Sequence, residues 1–268
     1  MQVRRHPSLP VYFGLTFLVA WAFWYAATAL GGDSPNQFLF LPGTFAPGIV
    51  AVLLTARAEG AAAVRALLAP LFKWEVGARW YLFALLFMAA IKLSVALVLR
   101  VTTGDWPRFG DTPIYLMLAA TLISTVILGQ SGEEVGWRGY ALPRLATRLG
   151  LGPASLILGV IWAVWHLPLF FIPGTSTTGQ SFPLYLLQVI ALSVALAWLW
   201  WHTGGSLLLT MLLHAAVNNT RDIVPSAVEG ADAVFGLSTS RAAWLTVLLL
   251  WICAGYFLAR LRGSPAPR

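Results

Sequence analysis

Long apolar stretches, interrupted by glycine, proline and charged residues, dominate the pattern of hydrophobic and polar positions along this chain. A helix that crosses a membrane needs roughly 20 mostly apolar residues, because each residue rises about 1.5 Å and the hydrocarbon layer is about 30 Å thick. The breaks in hydropathy predict about eight helices, at residues 11–30, 38–56, 80–101, 113–142, 153–172, 183–201, 205–219 and 242–261.

The segments around these helices complete the predicted architecture. Residues 11–30 follow Arg4 and Arg5 as a signal peptide would, but they are too long and too rich in tryptophan, so we interpret them as an uncleaved first span. Residues 57–79 carry apolar side chains at helical spacing between basic ones, which is typical of an interfacial helix. No internal repeat or linker divides the chain. We predict an all-α polytopic bundle, with residues 1–268 as a single membrane domain.

Composition agrees with a membrane protein. Of the 268 residues, 59% are hydrophobic and only 10% are charged, which is too little charge to cover a soluble protein of this size. The net charge of +7 does not indicate nucleic-acid binding, because the basic residues are spread between apolar segments. The single cysteine, Cys253, excludes a disulfide framework and a thiolate metal site. We predict the lipid bilayer of a bacterial inner or plasma membrane as the location.

Lys and Arg residues predict the orientation, because they favour the cytoplasmic ends of membrane helices. A cytoplasmic N-terminus places most of them on that side: Arg4, Arg5, Arg57, Arg65, Lys73, Arg79, Arg138, Arg144, Arg148, Arg260, Arg262 and Arg268. The other side would hold Arg100, Arg108, Arg221 and Arg241, together with Asp33, Asp105, Asp111, Asp222, Glu229 and Asp232. Both termini are therefore predicted to be cytoplasmic.

Ionisable side chains inside the predicted spans are the candidates for chemistry, since each costs at least a few kcal/mol in a bilayer. They are Lys92 in the third helix, Glu133, Glu134 and Arg138 in the fourth, His166 in the fifth and His214, with the polar Asn218, in the seventh. Lys92 has no candidate partner four residues away on its own helix. The alternatives are that its side chain extends toward the membrane surface or that it pairs with an acid from another helix.

The fourth helix is predicted to run without a proline to Leu142 and to stop at Pro143. Glu133 would then lie about 15 Å from that end, within the bundle. If the helix instead ended at Gly132, both glutamates would be interfacial and unremarkable.

The two adjacent glutamates are predicted to have different partners. Glu134 and Arg138 are four residues apart, so they share a helix face and can neutralise each other. Glu133 is rotated about 100° away and is left as a candidate general base. The alternative is a buried ion network that only fixes packing.

Two further pairs lie at the same spacing of four residues. Trp162 and His166 point to one side of the fifth helix, and Pro168 favours a bend beside them. His214 and Asn218 give the seventh helix two hydrogen-bond donors that could hold an oxyanion. The alternatives are an ordinary core histidine and hydrogen bonds between helices.

Three short motifs in this order resemble those of the CAAX protease and bacteriocin-processing family, also called the Abi family. They are EExxxR at residues 133–138, WxxxH at residues 162–166 and HxxxN at residues 214–218. The best-known members of the family are the type II CAAX prenyl endopeptidases. The resemblance covers residues 119–219, which we call the protease core region. The family more often has Phe where this chain has Trp162.

The resemblance implies an intramembrane glutamic endopeptidase. It implies that Glu133 and His166 activate the attacking water, that His214 and Asn218 stabilise the oxyanion, and that Glu134 and Arg138 support the site. Trp162 keeps the aromatic position of its motif. We predict no cofactor and no bound metal. The expected partner is a peptide or protein substrate, which can be membrane-associated. The sequence leaves open whether this substrate is of the CAAX type, and it does not indicate an oligomeric state. A wet pocket that opens toward the cytosol is expected.

Two other functions remain as alternatives. Glu133, Glu134, His166 and His214 include zinc-ligand types, although the chain lacks the HExxH signature of a zinc-dependent protease. A proton-coupled transporter or a non-catalytic scaffold could use the same residues as a relay, although the chain lacks the repeated halves of many transporters.

Overall fold

The computed structural model describes residues 8–32, 34–127, 130–225 and 233–261. Within these ranges the α-helices are α1 (Leu9–Ala29), α2 (Gln37–Glu59), α3 (Ala61–Leu68), α4 (Ala78–Thr103), α5 (Ile114–Ile127), α6 (Gln130–Glu134), α7 (Leu142–Leu149), α8 (Leu151–Trp165), α9 (Phe182–His202), α10 (Leu207–Thr220) and α11 (Arg241–Leu261). A π-helix, Val135–Ala141, joins α6 to α7. Several residues used to predict the orientation lie outside the described ranges: Arg4, Arg5, Asp33, Glu229, Asp232, Arg262 and Arg268.

The predicted all-α membrane fold is confirmed. Among the described residues, six helices are long and apolar enough to cross a membrane, and the number rises to seven if the bent segment from α5 to α7 is one span. With 14 residues, α10 is shorter than a full crossing. The total of eight spans and the cytoplasmic termini stay predictions. Residues 57–79 do contain a short helix, α3, followed by the 3₁₀ turn Ala69–Phe72.

The prediction of the fourth helix was wrong in its shape. It is not one rod over residues 113–142, because the axis of Ile114–Thr125 makes an angle of 53° with that of Gln130–Leu149. Pro143 does not end the helix. It lies in the first turn of α7, directly after the π-helix. The alternative end at Gly132 is also wrong, since α6 continues through that residue.

Glycines let the bent segment approach α2 directly. A Cβ added at Gly132 would lie 2.8 Å from the Cα of Phe45, and one added at Gly136 would lie 2.5 Å from the carbonyl carbon of Pro47. From the other side, a Cβ at Gly48 would lie 2.7 Å from the Gly132 carbonyl oxygen. Small residues four apart are the usual way for membrane helices to bring their backbones together. This contact fixes the stretch of chain that carries both glutamates.

The bundle has two distinct ends. The basic end comprises residues 57–79, 142–151, 202–207 and the end of α11, and it carries Arg57, Arg65, Lys73, Arg79, Arg144, Arg148 and Arg260. Lys73 Nζ donates to the Gly204 carbonyl over 2.7 Å and closes this end. The long-loop end comprises the described parts of residues 30–37, 103–114, 166–182 and 220–241. Ser181 Oγ donates there to the Gly236 carbonyl over 2.7 Å.

Replacement of Gly136 by Ala tests the contact between α2 and the bent segment. The added methyl group would overlap the backbone of α2, so we expect unfolding to become easier by about 1–3 kcal/mol. Gly14→Ala is the matched control, because a Cβ at Gly14 meets no atom within 4 Å. Thermal unfolding in detergent micelles measures both variants. Equal midpoints for the two would contradict a close contact at Gly136.

Candidate active site

A cavity of about 540 Å³ lies among α2, α4, α6, α8, α9 and α10. Glu133, His166, His214 and Asn218 all line it, whereas Glu134 and Arg138 do not. The cavity reaches the surface at the long-loop end, where its lining includes the exposed Gln37 and Ser176. The expected cytosolic opening and the predicted cytoplasmic termini are therefore incompatible, because α11 ends at the basic end.

Glu133 lies in α6 and is 5% exposed. Its Oε2 accepts a hydrogen bond of 2.6 Å from the indole Nε1 of Trp162 on α8. The same oxygen is 3.9 Å from His166 Nε2. This distance is too long for a direct hydrogen bond and leaves both atoms available to a molecule between them.

His166 follows the last residue of α8. The helix predicted over residues 153–172 ends earlier, at Trp165. The 3₁₀ turn Leu167–Phe171 follows, with Pro168 as its second residue. His166 Nδ1 lies 2.8 Å from the Trp162 carbonyl oxygen. A carbonyl only accepts, so Nδ1 carries the proton, and in the neutral ring Nε2 presents a lone pair toward Glu133.

Glu134 has two ionisable partners and is completely buried. Its Oε1 accepts a hydrogen bond of 2.8 Å from Arg138 Nη1, as the spacing of four residues predicts. The same oxygen lies 3.0 Å from His214 Nδ1. Arg138, also completely buried, lies in the π-helix with its guanidinium 4.4 Å from the centre of the Trp162 ring. Glu134 therefore connects α6 to α10, and the positive charge of Arg138 is held between a carboxylate and an aromatic face.

On α10, the two predicted donors have different surroundings. His214 is 5% exposed and uses Nδ1 to contact Glu134, so its Nε2 is the nitrogen left for the cavity. Asn218, one turn further along, is exposed and lines the cavity. The neighbouring Asn219 lies within α10, and its side-chain amide donates a hydrogen bond of 3.0 Å to Ser124 Oγ on α5.

Several lining residues were not among the predicted site residues. Gln130, Tyr185, Gln188 and Arg221 all face the cavity. Polar glutamines within apolar runs were a usable signal, but nothing in the sequence marks Tyr185. Lys92, which had no predicted role, also lines the cavity, and its Nζ donates 3.1 Å to the Val224 carbonyl.

The residues of the zinc alternative separate into two pairs. Glu133 faces His166, and Glu134 contacts His214. No group of three or more His, Cys, Asp or Glu side chains within the described ranges is arranged to hold a metal ion.

Two comparisons with known proteins bear on this geometry. Residues 113–220 match the family described as type II CAAX prenyl endopeptidase Rce1-like. The chain is 24% identical over 234 residues to CAAX prenyl protease 2 of Methanococcus maripaludis, an alignment that covers 82% of this chain and 86% of that protein. Both similarities are to peptide hydrolases and support the prediction of an endopeptidase in the membrane. The part of the chain that carries the three motifs is therefore similar to the Rce1-like type II CAAX prenyl endopeptidase family, which confirms the predicted resemblance.

Proposed function

We propose that this chain is a glutamic intramembrane endopeptidase, in which a water held between Glu133 and His166 attacks a peptide carbonyl. The observation that carries the proposal is the separation of 3.9 Å between Glu133 Oε2 and His166 Nε2 within the cavity. A carboxylate oxygen and an unprotonated imidazole nitrogen are both acceptors, so one water can donate a hydrogen bond to each. Such a water directs its lone pair away from both and becomes a better nucleophile.

Glu133 is the proposed general base. It would take a proton from the water as the oxygen attacks, which yields a tetrahedral intermediate without a covalent enzyme adduct. The proton then passes to the leaving amine as the C–N bond breaks. His166 would help Glu133 to orient the water and to hold the proton between the two steps.

His214 and Asn218 are the proposed oxyanion donors. Glu134 accepts from His214 Nδ1 and thereby orients the imidazole ring. When its Nε2 carries a proton, His214 would offer that N–H to the developing oxyanion, together with the side-chain amide N–H of Asn218. Glu134 and Arg138 act through His214 and do not touch the substrate in this proposal.

Trp162 is a proposed positioning residue for Glu133. Its indole N–H holds Oε2 over 2.6 Å, while its ring covers Arg138. The Trp162 side chain thus links Glu133, which faces the cavity, to the buried ion cluster of Glu134, Arg138 and His214. Phe, which the family more often has here, offers only the ring.

The substrate is proposed to be a peptide or protein at the membrane. The name of the archaeal relative indicates that it acts on prenylated CAAX proteins. For this chain, a cavity of about 540 Å³ is large enough to take a short extended peptide segment with its side chains.

We infer that the cavity opens away from the cytoplasm, in a bacterial inner or plasma membrane. Basic residues are concentrated at the basic end, and the positive-inside rule assigns that end to the cytoplasm. Arg108 at the other end is 4.0 Å from Asp111, which reduces the net charge there. A substrate would then be reached from the outer face of the membrane.

The exchange Glu133→Gln tests the general base. The amide keeps the shape of the side chain but cannot take a proton, so we expect peptide hydrolysis by the purified protein to fall roughly 10²–10⁴-fold. Glu75→Gln, at an exposed position of the basic end, is the control and should keep full activity. The readout compares membrane peptides from cells that carry each variant, followed by assay of a cleaved peptide with purified protein. Retained proteolysis in Glu133→Gln would falsify the assignment.

Trp162→Phe tests the positioning of Glu133. Loss of a hydrogen bond to a charged group costs about 1.5–3 kcal/mol, so kcat should fall about 10–100-fold with little change in KM. Trp165→Phe is the matched control three residues on. Its Nε1 is buried without a hydrogen-bond partner among the described residues, so kcat should stay near that of the original chain. Equal kcat values for the two variants would contradict the role given to the Trp162 indole.

Cysteine labelling tests the direction of the opening. In a Cys253→Ala background, Ser176→Cys places a thiol at the cavity mouth, and Glu75→Cys places one at the basic end. A membrane-impermeant maleimide should label position 176 in right-side-out vesicles and position 75 only in inside-out vesicles. The reverse pattern would show a cytoplasmic cavity and would leave the hydrolytic mechanism untouched.

A further inference from the structure

Gln130 is a buried polar residue of the cavity that has no part in the proposed hydrolysis. It begins α6, is 8% exposed and lines the cavity together with Glu133. Its side-chain oxygen Oε1 is buried and has no hydrogen-bond partner among the described residues. A buried acceptor without a partner costs about 1–3 kcal/mol, so a side-chain amide kept in this place calls for a functional explanation.

The position of Gln130 is fixed by the helix that carries it. Gln130 and Glu133 are three residues apart, so they share the face of α6 that is turned toward the cavity. Between them, Gly132 brings the backbone of α6 against α2, where an added Cβ would lie 2.8 Å from the Cα of Phe45. The backbone of Gln130 therefore has a firm support on the side away from the cavity.

A bound peptide has to satisfy two kinds of polar group in its main chain, carbonyl oxygens and N–H groups, because both lose water when they enter the cavity. In the proposed mechanism His214 and Asn218 donate to an oxygen. Of the lining side chains with an unpaired buried polar atom in the described ranges, Trp24 and Trp165 present donors and Gln130 presents the acceptor. Gln130 Oε1 is therefore suited to a main-chain N–H.

The spacing along α6 indicates which N–H groups come into reach. The α-carbons of Gln130 and Glu133 are about 4.5 Å apart along the helix axis, with Gln130 nearer to the long-loop end. An extended peptide advances about 3.3–3.6 Å per residue. If the attacked carbonyl lies at the water of Glu133, an N–H one or two residues away from it can reach Gln130.

We propose that the Gln130 side chain binds a main-chain N–H of the peptide substrate, one or two residues from the bond that is cut and toward the long-loop end. This inference rests on the proposed function, since it takes the cavity to be the place where the peptide lies. Such a contact is independent of the side chain at that position of the substrate, with one exception. Proline has no N–H and would be bound poorly there.

Binding of short peptides to the purified full-length protein in detergent micelles tests this contact. The parent probe is N-acetyl-Ala-Leu-Ala-Leu-Ala amide. In each further probe an ester oxygen replaces one main-chain N–H, which removes a single donor and keeps the length of the chain. Isothermal titration should give a dissociation constant about tenfold higher for the ester at one position than for the parent, because Gln130 Oε1 then lacks its donor.

Gln130→Met removes the amide and keeps the length of the side chain. The parent peptide should bind about tenfold more weakly to this variant, and the ester at the sensitive position should make no further difference. Gln37→Met is the matched control. Gln37 also lines the cavity, but it is exposed at the mouth, where its Nε2 donates to the Pro35 carbonyl over 3.3 Å. This control should keep both the affinity and the effect of the ester.

Thermal unfolding of the same variants without peptide separates binding from a structural role. Met replaces an unpaired buried amide by an apolar group, so the unfolding midpoint of Gln130→Met should equal or exceed that of the original chain. A lower midpoint, or a variant that does not fold, would show that the amide supports the fold and would overturn the proposal.

Three results of the binding assay would also overturn it. They are no binding of the parent peptide, equal affinity of the original chain for the parent and every ester, and an ester effect that persists in Gln130→Met. The assay needs no hydrolysis and can be repeated in Glu133→Gln. If Glu133→Gln keeps its proteolysis while the ester effect still depends on Gln130, the proposed chemistry fails and the contact with the main chain stands.

Discussion

Carboxylates buried among membrane-spanning helices have to be held by partners, and this requirement organises the centre of the bundle. Glu134 lies between Arg138 and His214, at 2.8 and 3.0 Å, and is sealed from the cavity. Glu133 is held by the Trp162 indole and faces the cavity. Each carboxylate thus has a different environment although the two residues are adjacent. The difference arises from helix geometry, since successive side chains point about 100° apart.

Much of the fold could be predicted from apolar runs alone. Predicted helices at residues 183–201 and 242–261 agree closely with Phe182–His202 and Arg241–Leu261, because breaks at glycine, proline and charge mark their ends. The pair Glu134–Arg138 could also be predicted, because both partners belong to one turn of one segment. Helix ends and pairs within one helix depend on residues that are close in the sequence, so hydropathy and residue spacing can predict them.

The errors concern contacts between segments that are distant in the sequence. The fourth helix was predicted as one rod because no proline interrupts it, but its bend accompanies a close approach to α2 through Gly132 and Gly136. His214 and Asn218 were predicted as two donors on one helix face, but the contact of His214 with Glu134 of another segment was not predicted. No spacing rule reports which side chain of a neighbouring span will face a given residue. The family resemblance assigned the roles of these residues but not the contacts that set their geometry.

The buried ion cluster of Glu134, Arg138 and His214 explains how residues on separate helices can keep their relative positions around a cavity. A cavity of about 540 Å³ interrupts packing between α6 and α10, so apolar contacts alone do not fix their distance across it. The contact of Glu134 with His214 does so from behind, and Trp162 extends the connection to α8 by covering Arg138 and bonding Glu133. Removal of one member would leave a buried charge without its partner, which is more costly than loss of an exposed pair. The adjacent glutamates therefore have different roles. Glu134 and its partners set the distances between α6, α8 and α10, whereas Glu133 faces the cavity.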